Sequence, residues 1–248
     1  MSFFNNIFKS NKLKEPVNLS LIGTDMHSHL IPGIDDGSKT IEESVELIKS
    51  LYELGYKKII TTPHIFIDYF NNTPEIIFKE SKVLKQALSE AQIPVQLEVA
   101  AEYMFDDNFK KKYHSGELLT FGEKYILIEL AAFTPPNDFF QIISDLKIDG
   151  YNIILAHPER YSYWHYNIEH YTSLKDMGVF FQINLPSLSG FYSPQVRKIT
   201  EQLIDNNMVE FAGTDLHDYI YLKEVNKSRF SKHLEKLINS GNLLNKTL

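Results

Sequence analysis

Seven short apolar runs, each closing on or beside a polar residue, constrain this chain more than any other feature. The runs cover residues 19–27, 58–64, 95–102, 125–130, 152–157, 179–185 and 209–215 and are rich in Ile, Val and Phe. Flanked by turn residues, they have the character of buried parallel strands, which are apolar on both faces. Amphipathic stretches separate them, at 41–54, 74–91, 137–147, 169–177, 194–207 and 220–240. In the first of these Val45, Ile48 and Leu51 with Tyr52 recur at helical spacing, Thr40 and Glu43 fit a capping box, and Gly55 supplies a stop. The 103–124 connection is less regular, with only a short helix expected around 108–113. Strict alternation of strand and helix implies a parallel sheet with crossover helices, and closing that sheet gives an α/β barrel. The 248 residues suit one barrel, a fold that typically takes ~250. We expect an N-terminal extension over 1–18 and one barrel domain over 19–248, with no low-complexity or Pro/Gly-rich linker between.

The ends of the runs are His27 with His29, then His64, Glu102, Glu129, His157, Asn184, and Asp215 with His217. In a β/α barrel the C-terminal strand ends meet in one pocket, so residues far apart in sequence converge there. Buried His, Asp and Glu are costly unless paired or bound to metal. Each element also has a plain alternative. His27-Ser28-His29 puts two imidazoles on one side of a strand, but an H-x-H pair alone is common. Asp35-Asp36-Gly37 reads equally as a turn. Glu102 and Glu129 can each cap the following helix, and His157-Pro158-Glu159-Arg160 can be a loop with a Glu159–Arg160 ion pair. Together they favour a metal rim. Five of the nine histidines sit at strand ends, whereas His114, His165, His170 and His233 fall in helices or loops and carry no assigned role.

Composition narrows the chemistry. There is no cysteine, which excludes thiolate zinc sites and cysteine nucleophiles. Mixed His and carboxylate ligands suit manganese, iron or zinc. A net charge of −7, with no basic run beyond Lys110-Lys111-Lys112, argues against nucleic acid as a partner. No segment reaches the ~18 consecutive apolar residues of a membrane helix. The first ten residues are too short and polar for a secretory signal. A cytoplasmic protein is the expectation, a short amphipathic membrane-touching tail the alternative for that start.

The string from Thr24 to Gly37, with its D-M-H-S-H-L-I-P-G-I-D-D-G core, resembles the opening motif of the PHP (polymerase and histidinol phosphatase) superfamily. More narrowly, it resembles the bacterial manganese-dependent tyrosine phosphatases encoded with capsule and exopolysaccharide genes. Thr62-Pro63-His64, Ala101-Glu102-Tyr103, Ile128-Glu129-Leu130, Ala156-His157-Pro158-Glu159-Arg160 and Gly213-Thr214-Asp215-Leu216-His217 resemble the later motifs of that group, in order. The resemblance runs from about Leu21 to His217 and implies a distorted seven-stranded PHP-type barrel with a cluster of three metal ions, manganese first. It carries ligand roles onto His27, His29, Asp36, His64, Glu102, Glu129, His157, Asp215 and His217. The N-terminal extension departs from the group's pattern.

Clustered divalent ions supply a hydrolytic nucleophile near neutral pH and neutralise a phosphoryl group in transfer. Among these ligands Glu102 is the candidate for bridging two ions and, with Asp215, for a direct catalytic part. Asp36 and His64 are the candidates for a third ion. Arg160, one of three arginines, has the planar fork for phosphate. Tyr161, Tyr163, Trp164 and Tyr166 follow it, and Phe66, Tyr69 and Phe70 follow His64, with Phe191 and Tyr192 after the sixth run. Such aromatics either grip a phenyl ring, with Phe66, Tyr161 and Tyr163 foremost, or simply pack their loops. The resemblance favours phosphotyrosine on protein, and by extension the tail of a bacterial tyrosine kinase controlling polysaccharide export. The rival readings are a small-molecule phosphatase such as a histidinol-phosphate hydrolase, an amidohydrolase, and a metalloprotein that binds phosphotyrosine without turnover.

Overall fold

A computed structural model describes residues 12–248. Most of the expected extension, residues 1–11, lies outside the described residues. Residues 12–17 run along the far end of the chain: Leu13 N–H donates to Phe230 O and Val17 N–H to Arg229 O, each at 2.8 Å. Asn18 then caps a 3-10 turn, Leu19–Leu21, by accepting from Ser20 N–H at 3.0 Å. The first apolar run therefore begins helical, and its strand β1 is only Thr24–Asp25.

The other elements alternate as expected. They are α1 (Ile41–Glu53), β2 (Lys58–Thr61), β3 (His64–Ile65), α2 (Pro74–Glu90), β4 (Gln96–Val99), β5 (Glu102–Met104), α3 (Asp107–Ser115), β6 (Tyr125–Glu129), α4 (Phe139–Ile148) and β7 (Asn152–Ala156). After these come α5 (Ile168–Asp176), β8 (Phe180–Asn184), α6 (Leu185–Ser189), α7 (Pro194–Asp205), β9 (Phe211–Gly213), α8 (Tyr219–Ser228) and α9 (Lys232–Asn239). Local chemistry sets the boundaries. Thr40 accepts from Glu43 N–H at 3.2 Å, while the Glu43 carboxylate accepts from Lys39 N–H at 2.7 Å, one residue before the usual capping-box donor. The stretch expected as one helix over 220–240 is two, because Ser231 starts a new cap at His233 N–H. Leu185, expected to end a strand, instead starts α6, with Pro186 in its first turn.

All strand pairs are parallel, in the orders β1-β2-β4 and β3-β5-β6-β7-β8-β9. The two sheets are one barrel wall with a break. Pro63 has no N–H to extend the ladder, so β2 and β3 separate there. Backbone bonds still cross the break, from Thr62 N–H to Ser28 O at 2.7 Å and from Glu102 N–H to Pro63 O at 3.2 Å. The seam between β1 and β9 closes in three ways along its length. At one end the Asn245 amide bridges Thr24 O and Ala212 O, both at 2.8 Å. In the middle the buried Asp25 carboxylate accepts from Thr214 N–H at 2.9 Å and Thr214 Oγ1–H at 2.7 Å. At the other end Asp215 N–H donates to His27 O at 2.8 Å and His29 N–H to Leu216 O at 2.9 Å. The result is a distorted α/β barrel of seven strand lines.

Side chains alternate across its wall. Met26, Ile60, Leu127, Ile154 and Phe211 fill the interior, while Ile59, Ile126, Ile128, Ile153 and Leu155 pack outward against the helices. A plugged interior leaves the C-terminal strand ends as the floor of an open site. Among the described residues no helix is long and apolar enough to cross a membrane.

Candidate metal centre

The nine residues to which the resemblance gave ligand roles stand together at those strand ends. His27 Nε2 and His29 Nε2 lie 3.3 Å apart. Each faces Glu102 Oε2, at 3.1 and 3.2 Å, and Asp215 Oδ1, at 3.3 Å. His64 Nδ1 stands 3.3 Å from Glu102 Oε2 and 3.9 Å from Glu129 Oε2. Asp36 Oδ1 lies 3.6 Å from His64 Nε2 and 3.4 Å from His217 Nε2. His157 Nε2 reaches Glu102 Oε1 at 3.0 Å and Glu129 Oε1 at 3.6 Å. Three overlapping groups are compact enough to hold an ion: His29, Asp36, His64 and His217; His27, His29, Glu102 and Asp215; and His64, Glu102 and Glu129. His157 joins none of the three but lies against the outer oxygens of the last.

Hydrogen bonding outside the cluster aims the imidazoles inward. His27 Nδ1–H donates to Gln182 Oε1 and His29 Nδ1–H to Asp35 Oδ2, both at 2.8 Å. His217 Nδ1–H donates to Asp215 O at 2.8 Å. Neutral imidazoles so arranged turn bare Nε2 lone pairs on each other and on carboxylate oxygens, which repel unless a cation lies between. Nδ1 of His64 is likewise buried without a hydrogen-bond partner. The donor set fits a cluster of divalent cations. Electrostatics agrees. Burial works against charging His27, yet the Glu102 and Asp215 carboxylates outweigh it and raise its pKa to about 9. Burial, with Glu102 adding to it, pushes Glu129 up to about 8. His157 goes the other way, pushed down to about 4 by burial and the Arg160 charge, so its imidazole is neutral and free to bind a cation.

Local backbone serves the same arrangement. His157 and Asp215 adopt left-handed conformations, φ 33° and 50°, which for residues with a Cβ cost about 1–3 kcal/mol each and are typical of functional sites. Gly213 lies under the cluster, where a Cβ would come 2.7 Å from His27 Cβ.

The ligands open into a cavity of about 300 Å³ that Phe66, Tyr69, Phe70, Met104, Arg160 and Tyr221 also line. Arg160 Nη1–H donates to Asp215 Oδ2 at 3.4 Å. It makes no ion pair with Glu159, whose buried Oε1 accepts instead from Asn184 N–H and Ser187 Oγ–H at 2.9 and 2.6 Å. Tyr161 and Tyr163, taken with Phe66 as ring-gripping candidates, do not line the cavity. Tyr161 is buried, its hydroxyl donating to Ala156 O at 2.8 Å and accepting from Leu130 N–H at 3.0 Å. Tyr163 stacks on it and donates to Ala131 O at 3.1 Å. After the 3-10 turn Pro158–Arg160, Tyr161 enters the outer core and Tyr163 packs against its edge. His114, His165, His170 and His233 stand outside the cavity. Residues the strand-end pattern left without a role include Asp35, Gln182 and Tyr221. Only the adjacent D-D-G turn and the alternate Gln182 and Asn184 on one strand hinted at the first two.

The sequence profile of the family described as capsular polysaccharide synthesis, CpsB/CapC, matches residues 23–230. The tyrosine-protein phosphatase YwqE of Bacillus subtilis is 28% identical over 195 residues, covering 78% of this chain and 77% of that protein. The putative tyrosine-protein phosphatase CapC of Staphylococcus aureus is 28% identical over 229 residues, covering 89% and 90%. A solved structure from work on YwqE of Bacillus subtilis and CpsB of Streptococcus pneumoniae, described as unique metal-dependent tyrosine phosphatases, superposes with a TM-score of 0.78. Its sequence identity is 26%, and the match covers 90% of each chain. The rim of histidines and carboxylates, from His27 to His217, thus lies wholly within the matched segment, and the chain belongs to the CpsB/CapC family of capsular polysaccharide synthesis.

Proposed function

We propose that this chain is a metal-dependent phosphatase that removes phosphate from tyrosine on proteins. One observation carries the reading: the cluster of inward-turned His, Asp and Glu donors shares its cavity with Arg160 and with the rings of Phe66, Tyr69, Phe70 and Tyr221. Divalent ions bound there, which we take to be three and manganese by preference, would supply a nucleophile from water and offset the charge of the phosphoryl group. The nine residues given ligand roles, eight beside strand ends and Asp36 on the turn after β1, would hold them, and Glu102, which presents both carboxylate oxygens to the cluster, would be suited to bridge. Arg160 places a guanidinium fork at the cavity wall, where it binds phosphate oxygens without competing for a metal position. Phe66 and its neighbours receive the phenyl ring. A phenolate leaves readily, since its conjugate acid has a pKa near ~10, so little proton donation is needed at the leaving oxygen. The proposed substrate is the tyrosine-rich tail of a bacterial tyrosine kinase in polysaccharide export, and the proposed compartment is the cytoplasm.

Hydrolysis of an aryl phosphate by the purified protein, with and without chelator, tests the reading. Chelation abolishes turnover and manganese restores it; full activity in metal-free protein overturns the proposal. Phosphotyrosine peptides are cleaved faster than phosphoserine peptides. Equal rates on the two, or a much faster rate on histidinol phosphate, favour a small-molecule phosphatase instead. Arg160→Ala leaves metal content intact and lowers kcat/KM by about 10- to 150-fold, the equivalent of ~1.5–3 kcal/mol for a lost charge-assisted bond.

A further inference from the structure

Asp215 gives its two oxygens to different neighbours. Oδ1 faces His27 and His29, each at 3.3 Å. Oδ2 is turned away and receives Asn184 Nδ2–H at 2.6 Å, the Tyr192 hydroxyl at 3.2 Å and Arg160 Nη1–H at 3.4 Å. Asn184 also donates to the Tyr192 oxygen at 3.0 Å, which closes a triangle of three side chains. The face of Tyr192 carries the guanidinium, with Arg160 Cζ 4.8 Å from the ring centroid. Among the described residues Asp215 is the only acceptor of an Arg160 side-chain hydrogen bond, and at 3.4 Å that bond is long. The ring therefore supports the guanidinium alongside a long ion pair to Asp215. The ring is itself braced. It lies between α6 and α7, with Phe191 packed edge-on at 5.0 Å and Tyr221 at 6.5 Å.

We infer that Tyr192 is the positioning residue of the phosphate clamp. Its ring holds Arg160 at the cavity wall with the rest of the fork directed to an incoming phosphate. Its hydroxyl, with Asn184, fixes the rotation of Asp215 so that Oδ1 alone faces the other ligands. One flat side chain thereby couples the position of the clamp to the orientation of a candidate metal ligand. The inference rests on the reading of Arg160 as the group that binds phosphate, and the test separates the two.

The metal-loaded full-length protein is titrated with inorganic phosphate by calorimetry, alongside steady-state kinetics on an aryl phosphate and elemental analysis. Tyr192→Leu removes ring and hydroxyl and is expected to weaken phosphate binding and lower kcat/KM about tenfold, in the range of a partly desolvated cation–π contact. The kinetic loss falls mainly on KM. Tyr192→Phe keeps the ring and loses about threefold. In an Arg160→Ala background Tyr192→Leu loses only the about threefold share of the hydroxyl, whereas a purely structural role would add its full loss in both backgrounds. If Tyr192→Leu does not fold, Tyr192→Met, similar in bulk but without a π face, serves the same comparison. Wild-type phosphate affinity in the Leu or Met variant overturns the inference. So does a Phe variant as impaired as these, or a full additional loss in the Arg160→Ala background. Wild-type phosphate affinity in Arg160→Ala alone overturns the clamp reading instead.

Discussion

Asp35 and Asp36 are adjacent in sequence and face different tasks. The Asp36 side chain is half-exposed and turns Oδ1 toward His64 and His217. Asp35 is buried and accepts from His29 Nδ1–H, Gly37 N–H and His64 N–H at 2.8, 3.0 and 3.1 Å. Burial opposes its charge, but the His29 imidazole holds the carboxyl well below the usual range. It therefore orients one candidate ligand through the ring and another through the backbone. We expect Asp35→Ala to weaken metal binding by about 10- to 100-fold, the usual effect of removing the partner of a ligating histidine. Metal titration of the stripped protein measures it, and unchanged affinity would exclude this role. Two neighbouring aspartates read alike in a sequence, because which one points inward depends on the path of the turn. Tyr161 and Tyr163 illustrate the same limit. Their position just after Arg160 suggested the cavity, yet the Tyr161 hydroxyl found its backbone partners in the core and the Tyr163 hydroxyl at the surface, on Ala131 O.

At the scale of elements, the turn between β1 and α1 is folded back on its own strand. The backbone at Gly37 passes so close to His29 that a Cβ would stand 2.0 Å from His29 O and 2.5 Å from His29 Cβ. Here glycine is required by proximity and not by a left-handed φ. Gly37→Ala must push the turn outward, carrying Asp35 and Asp36 with it. We expect that variant to lose most of its bound metal. Gly116→Ala is the control: it meets nothing within 4 Å at the end of α3 and bears only the strain of φ 74°, roughly 1–2 kcal/mol. Metal content by elemental analysis distinguishes them, and equal retention in both would contradict the close approach. The alternation of strands and helices was legible because short apolar runs and the 3.6-residue helical period are both local signals. The 3-10 start of the first run and the helical start at Leu185 were not, since a cap at Asn18 and a proline at 186 override the apolar pattern over a few residues.

The whole molecule couples protons, metal and stability. In the metal-stripped protein His27 has its pKa raised to about 9, from an ordinary 6.5. A raised histidine contributes stability that is complete below pH 6.5 and lost as pH rises through 9. Metal binding runs the other way, because it needs neutral imidazoles. The gap in Tm between metal-loaded and stripped protein should therefore widen from pH 6.5 to pH 9. Thermal unfolding at the two pH values with and without chelator checks this, and a constant gap would count against proton–metal competition at the rim. The sequence by itself determined the α/β alternation and which residues stand at the strand ends, since both follow from short-range periodicity and from strands that all run one way. Only the tertiary structure decided how the barrel closes. The seam depends on Asp25 meeting Thr214 and Asn245 meeting Thr24, pairs 189 and 221 residues apart in sequence. It likewise decided which aromatics wall the cavity and that Gln182, Asn184 and Tyr192 orient its polar groups. Such contacts form between elements that share no local pattern, and their geometry exists only once the sheet has curved round on itself.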